Sequence, residues 1–312
     1  MRIVVGFDGS RSSEVAHEFI CAMTWPAQSE FLFLCACDES GRWTEAIPGH
    51  EWFRDPATSS PRETLTMLYG MAEPLRRLGH RVEVRAEEGA AAHVLAQAAT
   101  EFAADLIVVG SRGRGPAASA LLGSVSAGLV DHASCPVLVV RQPEASRILV
   151  ATDGSASARA IPSILAAWHA FRGLPIEVLS VAPGGGTDTE LMITPWASPE
   201  SDRPHVVDDV TQRHHEFAED MAQTLESAGW DARPVVRVGD PAGEIVAGAR
   251  ELGCDLIVTG SRGLGDVRRL LAGSVAHDVL LHSHCSVLVM RGHAPAALKR
   301  PVAVPLATPA SA

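Results

Sequence analysis

Several absences narrow the field first. The 312-residue chain has 26 Lys and Arg against 37 Asp and Glu, a formal net charge of -11, and no basic run. Nucleic-acid backbones are gripped by a basic face, and anionic membranes hold proteins through polybasic segments. Both partners are therefore disfavoured. No stretch approaches the ~20 apolar residues that span a bilayer. The apolar stretch after Arg2 ends at Val5, too short for a signal-peptide core. A cytoplasmic location is the expectation. The six cysteines form no CxxC pair, which argues against a zinc ribbon or a thioredoxin-type site and for reduced core thiols. Nor is there a G-x₄-G-K-[ST] string of the Walker type.

What is present is a repeat. RIVVGFDGS at Arg2–Ser10 matches RILVATDGS at Arg147–Ser155, and ADLIVVGSRGRG at Ala104–Gly115 matches CDLIVTGSRGLG at Cys254–Gly265. LLGSVSAGLVDHASCPVLVVR at Leu121–Arg141 matches LAGSVAHDVLLHSHCSVLVMR at Leu271–Arg291. The offset grows from 145 to 150 residues, and the unmatched stretches Asp38–Ser60 and Pro183–Pro204, rich in Gly, Pro and Ser, are where loops absorbed the change. The expected domains are 1–141 and 147–291, joined by a short seam. The Ala- and Pro-rich end, 292–312, is expected to be a disordered tail.

Within each copy short β-branched runs alternate with helical patterns. Runs such as LIVV and VLVV are apolar on both faces, the mark of a parallel sheet covered on both sides. The expected fold class is α/β, with two tandem doubly wound, Rossmann-like domains of five parallel strands each. Ligands of such sheets bind beyond the carboxyl ends of the strands, where strand order reverses.

One motif belongs at that place. Strand four of the first copy ends at Gly110, followed by Ser111, Arg112 and Gly113, nine residues, then Gly123-Ser124. The second copy has Gly260, Gly263 and Gly273-Ser274 at the same spacing. Glycines let a backbone approach a ligand closely, and a helix opening at Ser124 or Ser274, its hydroxyl able to cap, aims N–H groups at an anion. One glycine pair would only close a turn. The full G-x₂-G-x₉-G-S spacing, kept in both copies while its interior diverged, favours a phosphate site. A dinucleotide fingerprint would follow the first strand rather than the fourth, which disfavours nicotinamide cofactors.

Asp8 and Asp153 end the first strand of each copy as GFDGS and ATDGS. A carboxylate there reaches a ribose hydroxyl or an adenine amino group, or it caps the following turn; the sequence leaves both roles open. Arg112 and Arg262 could pair phosphate oxygens or bond loop carbonyls. Asp105 and Asp255 read as turn residues. His282 and His284 read as cations at a helix end rather than metal ligands. Trp43, Trp52 and Trp196 read as packing in the connectors.

These residues resemble the universal stress protein family, and specifically its tandem-domain members. The resemblance rests on the glycine motif in both halves, the first-strand Asp and the HASCPVLVV ending at His132–Val140, and covers nearly everything except the tail. It implies ATP binding in both halves. Carried over position by position, it points to Asp8, Ala36, Val109, Gly110, Gly113, Gly123, Ser124 and Val125. In the second half it points to Asp153, Val181, Thr259, Gly260, Gly263, Gly273, Ser274 and Val275. Ala36 departs from the usual valine, so some apolar cover over the base is lost. The resemblance further implies pairing through the last strands, Val137–Val140 and Val287–Met290, within one chain, and further association into a homodimer.

The function expected is an ATP-binding regulator with two sites, little turnover and an unidentified protein partner. ATP, with or without Mg²⁺, is the expected ligand. A slow ATPase or phosphotransferase working through Asp8 and Asp153, and a scaffold with structural nucleotide, are the alternatives.

Overall fold

The computed structural model describes residues 1–37, 61–113, 122–184, 203–261 and 273–291. Arg262, Gly263, the three connector tryptophans and the tail lie outside these residues. The first half runs β1 (Arg2–Gly6), α1 (Arg11–Ala22), β2 (Glu30–Cys37), α2 (Pro61–Arg77), β3 (Arg81–Glu88), α3 (Ala91–Glu101), β4 (Leu106–Gly110), α4 (Ser124–His132) and β5 (Val137–Val140). The second half runs β6 (Ile148–Ala151), α5 (Ala156–Arg159), α6 (Ile161–Trp168), β7 (Ile176–Ala182), α7 (Arg203–Ser227), β8 (Ala232–Val238), α8 (Pro241–Glu251), β9 (Leu256–Gly260), α9 (Ser274–His282) and β10 (Ser286–Met290).

The fold is α/β with a sheet dominated by parallel pairs. All ten strands join in the order β3-β2-β1-β4-β5-β10-β9-β6-β7-β8. The halves thus share one sheet. Among the described residues the one antiparallel pair is β5 with β10, in register Val139↔Val287, Leu138↔Leu288 and Val137↔Val289. All six of these side chains are buried, and burying a large apolar side chain is worth about 1.5–3 kcal/mol. The alternation of β5 and β10 sends them to opposite faces. Leu138 and Val140 join Leu288 and Met290 in one core, while Val137 and Val139 join Val287 and Val289 in the other. Both cores run through both halves.

The expected repeat of elements fails at one helix. Where the first half has the continuous α1, the second half has α5 and α6, parted at Ala160. Pro162 is the reason: it lacks an N–H, and its ring opposes the carbonyl four residues back, so it can begin α6 but not continue α5.

The two aspartates read as turn residues do more than turn. Asp105 Oδ2 accepts the Arg2 N–H at 2.8 Å, and Asp255 accepts from the N–H groups of Ser146 and Arg147. Each carboxylate ties the base of strand four of its half to the base of that half's first strand.

Candidate functional site

In the first half strand order reverses between β1 and its neighbours β2 and β4, and in the second between β6 and its neighbours β7 and β9. The crevice at the carboxyl ends of β1 and β4 receives Asp8 from one strand and Gly110 to Gly113 from the other. Asp8 is placed by local chemistry. Its Oδ1 accepts the Ser10 N–H at 2.9 Å, and Gly9 between them has φ +71°, a left-handed turn that glycine adopts without strain. Asp153 repeats this with the Ser155 N–H at 3.0 Å and Gly154 at φ +72°. The turn role left open by the sequence is therefore filled by one carboxylate oxygen. For Asp8 the other oxygen lies against the loop: a Cβ on Gly113 would stand 2.8 Å from Oδ2.

The base of the glycine loop is closed the same way in both halves. The Ser111 N–H donates to Val140 O at 3.0 Å, and the Gly123 N–H returns to Ser111 O at 2.9 Å. In the second half the Ser261 N–H donates to Met290 O at 2.8 Å, and the Gly273 N–H to Ser261 O at 2.6 Å. Ser10 Oγ, which also caps α1 by accepting the Ser13 N–H, donates to Arg112 O at 3.2 Å and links the Asp8 turn to the loop. The Arg112 side chain is exposed, near enough to Arg141 to act on it electrostatically. The interior of the loop, 114–121 and 264–272, lies outside the described residues.

The loop glycines divide by what occupies the space beside them. A Cβ on Gly110 would stand 2.5 Å from the Ser12 carbonyl, and one on Gly260 would stand 2.7 Å from Ser157 Oγ. These two make room for the start of the helix after the first strand of their half, α1 or α5, rather than for a ligand. A Cβ on Gly123 would sit 3.3 Å from Arg112 Cα and Ser111 O, a tight fit at the loop base.

The expected capping by Ser124 and Ser274 is corrected. Gly123 and Gly273 are the N-caps of α4 and α9, and no side chain caps either helix. Each serine is the first helical residue, one position too late to cap, and is exposed. The first-turn N–H groups therefore have no side-chain cap among the described residues, which leaves a helix N-terminus suited to an anion. Val125 and Val275 pack against the core beneath. Val109, Thr259 and Val181 are buried under the crevice, while Ala36 is only partly so.

Other candidates resolve into structure. His282 contacts Asp278 O through Nδ1 at 2.9 Å in the last turn of α9. Burial lowers the His284 pKa, and Arg250 and Arg141 add to it. Cys135 and Cys254 are pushed up to about 12 by burial, so both are inert thiols. Among the described residues no helix is long and apolar enough to cross a membrane.

Two features escaped the sequence. Arg141 and Arg291, just past the last strands, reach across the seam to carbonyls of the opposite half. In the second half His214 meets Ser180 beside Asp153. The arginines had a signal, since they occupy matched positions in the repeat. His214 had none, because it lies in a helix outside the matched segments.

The family model described as "Universal stress protein family" matches residues 1–141 and again 144–291. A universal stress protein of Mycobacterium tuberculosis is 31% identical over 202 residues, 60% of this chain and 62% of that protein. The chain thus spans less than two thirds of the length of that relative. A universal stress protein of Bacillus subtilis is 32% identical over 149 residues, 47% of this chain and 99% of that protein. Among solved structures, a universal stress protein from Archaeoglobus fulgidus superposes with a TM-score of 0.60 at 19% identity, covering 93% of this chain and 98% of that one, a likeness of fold. With two matches that together take in most of its length, the chain belongs to the universal stress protein family.

Proposed function

We propose that each half, 1–141 and 147–291, is a Rossmann-like unit of five strands that binds one adenine nucleotide, and that the chain is a cytoplasmic stress-response regulator. The observation that carries this reading is the convergence at one crevice of Asp8, the closed loop base at Ser111–Gly123 and the uncapped start of α4. A helix N-terminus takes phosphate through backbone N–H groups, and a carboxylate a few residues away takes hydroxyl or amino hydrogens. That pairing suits a nucleotide better than free phosphate. Residues outside the description, Arg262 and Gly263, complete the second loop in this reading. Mg²⁺, where present, would arrive on the phosphates of ATP, and Asp8 and Asp153 would serve the ribose or the base rather than the metal.

Turnover is slow in this proposal. Hydrolysis needs a group that orients water and a well-held metal. Asp8 and Asp153 each already commit Oδ1 to the N–H of a serine two residues on. Nucleotide occupancy then acts by shifting conformation or partner binding rather than by chemistry. A second copy, if one associates, does so away from β5 and β10, which pair within the chain.

The test is direct. Chromatography of what heat releases from purified protein should show an adenine nucleotide, and calorimetry on stripped protein should show two sites. The first half should bind more weakly, because Ala36 stands where the second half has the larger Val181. A stoichiometry of one or none would refute the two-site reading.

A further inference from the structure

The second crevice has a group that the first lacks. Aligned by the register of the sheet and by the matching turns that end α2 and α7, the first half has Phe7, Cys35, Thr64 and Met67 where the second has Thr152, Ser180, His214 and Phe217. Ser180 on β7 is fully buried. Its hydroxyl carries one proton, and Thr152 O accepts it at 2.8 Å. His214 Nδ1 lies 2.8 Å from the same oxygen. With the hydroxyl proton already spent, Nδ1 is the donor to Ser180 Oγ, and Nε2 of the neutral ring carries the lone pair.

The ring is also held from beside. Phe217, one turn along α7, meets it edge-on with centroids 5.5 Å apart. Phe217 in turn packs so closely on Gly154 that a Cβ there would stand 2.5 Å from its ring. His214 and Phe217 thus clasp Thr152 to Gly154, the segment that presents Asp153. Among the described residues the charged groups acting on His214 are Asp153, which raises its pKa, and Arg213 of its own helix, which lowers it. Burial, the largest influence, outweighs Asp153, and with Arg213 leaves the ring below the ordinary histidine value.

We propose that His214 Nε2 is a ligand contact of the second site: with the Asp153 carboxylate it forms a corner of two acceptors that takes the vicinal 2′ and 3′ hydroxyls of the nucleotide's ribose. This rests on the reading that the second half binds a nucleotide. Protonation turns Nε2 into a donor beside a carboxylate: the ring's acceptor is lost outright, and the ion pair it forms competes with the ribose for the carboxylate. Ribose selectivity in the second half therefore weakens as pH falls through the histidine range. The first half, with Thr64 in place of His214, has no such dependence.

The experiment uses the full chain with the first site disabled by Asp8→Ala with Gly123→Val. Calorimetry compares ATP with 2′,3′-dideoxy-ATP at about pH 8 and about pH 5.5, either side of the histidine range. Both nucleotides share the same phosphate titration, so their affinity ratio reports the ribose corner alone. The ratio should favour ATP at the higher pH and shrink at the lower. His214→Ala should weaken ATP about three- to tenfold, as expected for one hydrogen bond, leave the dideoxy form unchanged and abolish the pH dependence of the ratio. His214→Gln, a neutral side chain with an acceptor oxygen, should restore part of the preference at both pH values. A folded His214→Ala protein with the parent's ratio and pH profile would overturn the proposal. Absence of ATP binding in the His214 parent, with the chain folded, would overturn the nucleotide reading itself.

Discussion

Arg141 and Arg291 form a reciprocal pair: each donates from the end of its own half's last strand to carbonyls at the end of the other half's last helix. Arg141 Nη2 reaches Leu280 O on α9 at 2.7 Å, and Arg291 Nη2 reaches Val130 O and Asp131 O on α4. A guanidinium at a helix C-terminus meets both the free carbonyls and the negative end of the dipole. The Arg141 and Ser286 pairing adds a further tie, since Ser286 Oγ accepts the Arg141 N–H at 3.1 Å.

Replacing both arginines, Arg141→Ala with Arg291→Ala, should therefore loosen the seam. Each charge-assisted bond is worth about 1.5–3 kcal/mol. Denaturant unfolding of the double variant should show a lower midpoint, with the two halves beginning to unfold as separate transitions. An unchanged midpoint would mean that the β5–β10 pairing alone holds the halves.

The loop glycines allow binding and stability to be separated. Gly123 has φ -76° and Gly273 φ -65°, so valine at either position adds no left-handed strain. At Gly123 it must displace neighbours that would stand 3.3 Å from its Cβ. Gly123→Val with Gly273→Val should stay folded by thermal unfolding and lose nucleotide affinity by several kcal/mol, because a displaced phosphate gives up several N–H contacts of about 1.5–3 kcal/mol each. A folded variant that binds ATP as the parent does would remove the loop from the site. Gly110→Ala is the contrast: it should lower stability first, since its Cβ would meet the Ser12 backbone at 2.5 Å.

Acid should cost stability through histidines that folding partly desolvates. Burial holds His80 and His284 below their usual 6.5, and for His80 the N-terminal charge adds to the effect. Between the folded and unfolded values the unfolded chain binds more protons, so stability rises with pH across that window and is lost on acidification. His80 is set edge-on to Phe31 at 5.4 Å, and its Nδ1 is buried with no hydrogen-bond partner among the described residues. His80→Phe should flatten part of the melting temperature's decline below neutral pH. A variant as acid-sensitive as the parent would show that His80 does not contribute.

Elements set by local pattern were legible. The periodicity and motif ends place α4 at Ser124–His132 and β5 at Val137–Val140, where they are found. The apolar runs of β4 and β5 announced a covered parallel sheet. What stayed hidden depends on distant partners. Nothing local to Asp105 or Asp255 says that a strand a hundred residues away will be tied to it. The glycine spacing was visible, yet the division of labour within it was not. Gly110 serves a helix backbone and Gly123 a loop base, and that is set by what the fold brings alongside. The left-handed turns at Gly9 and Gly154 were within reach, because Asp-Gly is a turn signal in any sequence.

The β5–β10 pairing has a kinetic and evolutionary consequence. Two separate copies of such a domain would meet only at a rate set by their concentration. Here the seam is intramolecular, so its effective concentration is set by the few residues between Val140 and Ile148 and does not fall on dilution. Neither half then has to remain its own mirror partner. A substitution such as Thr64 against His214, which identical subunits would have to carry twice, can be confined to one crevice while the other is left as it was.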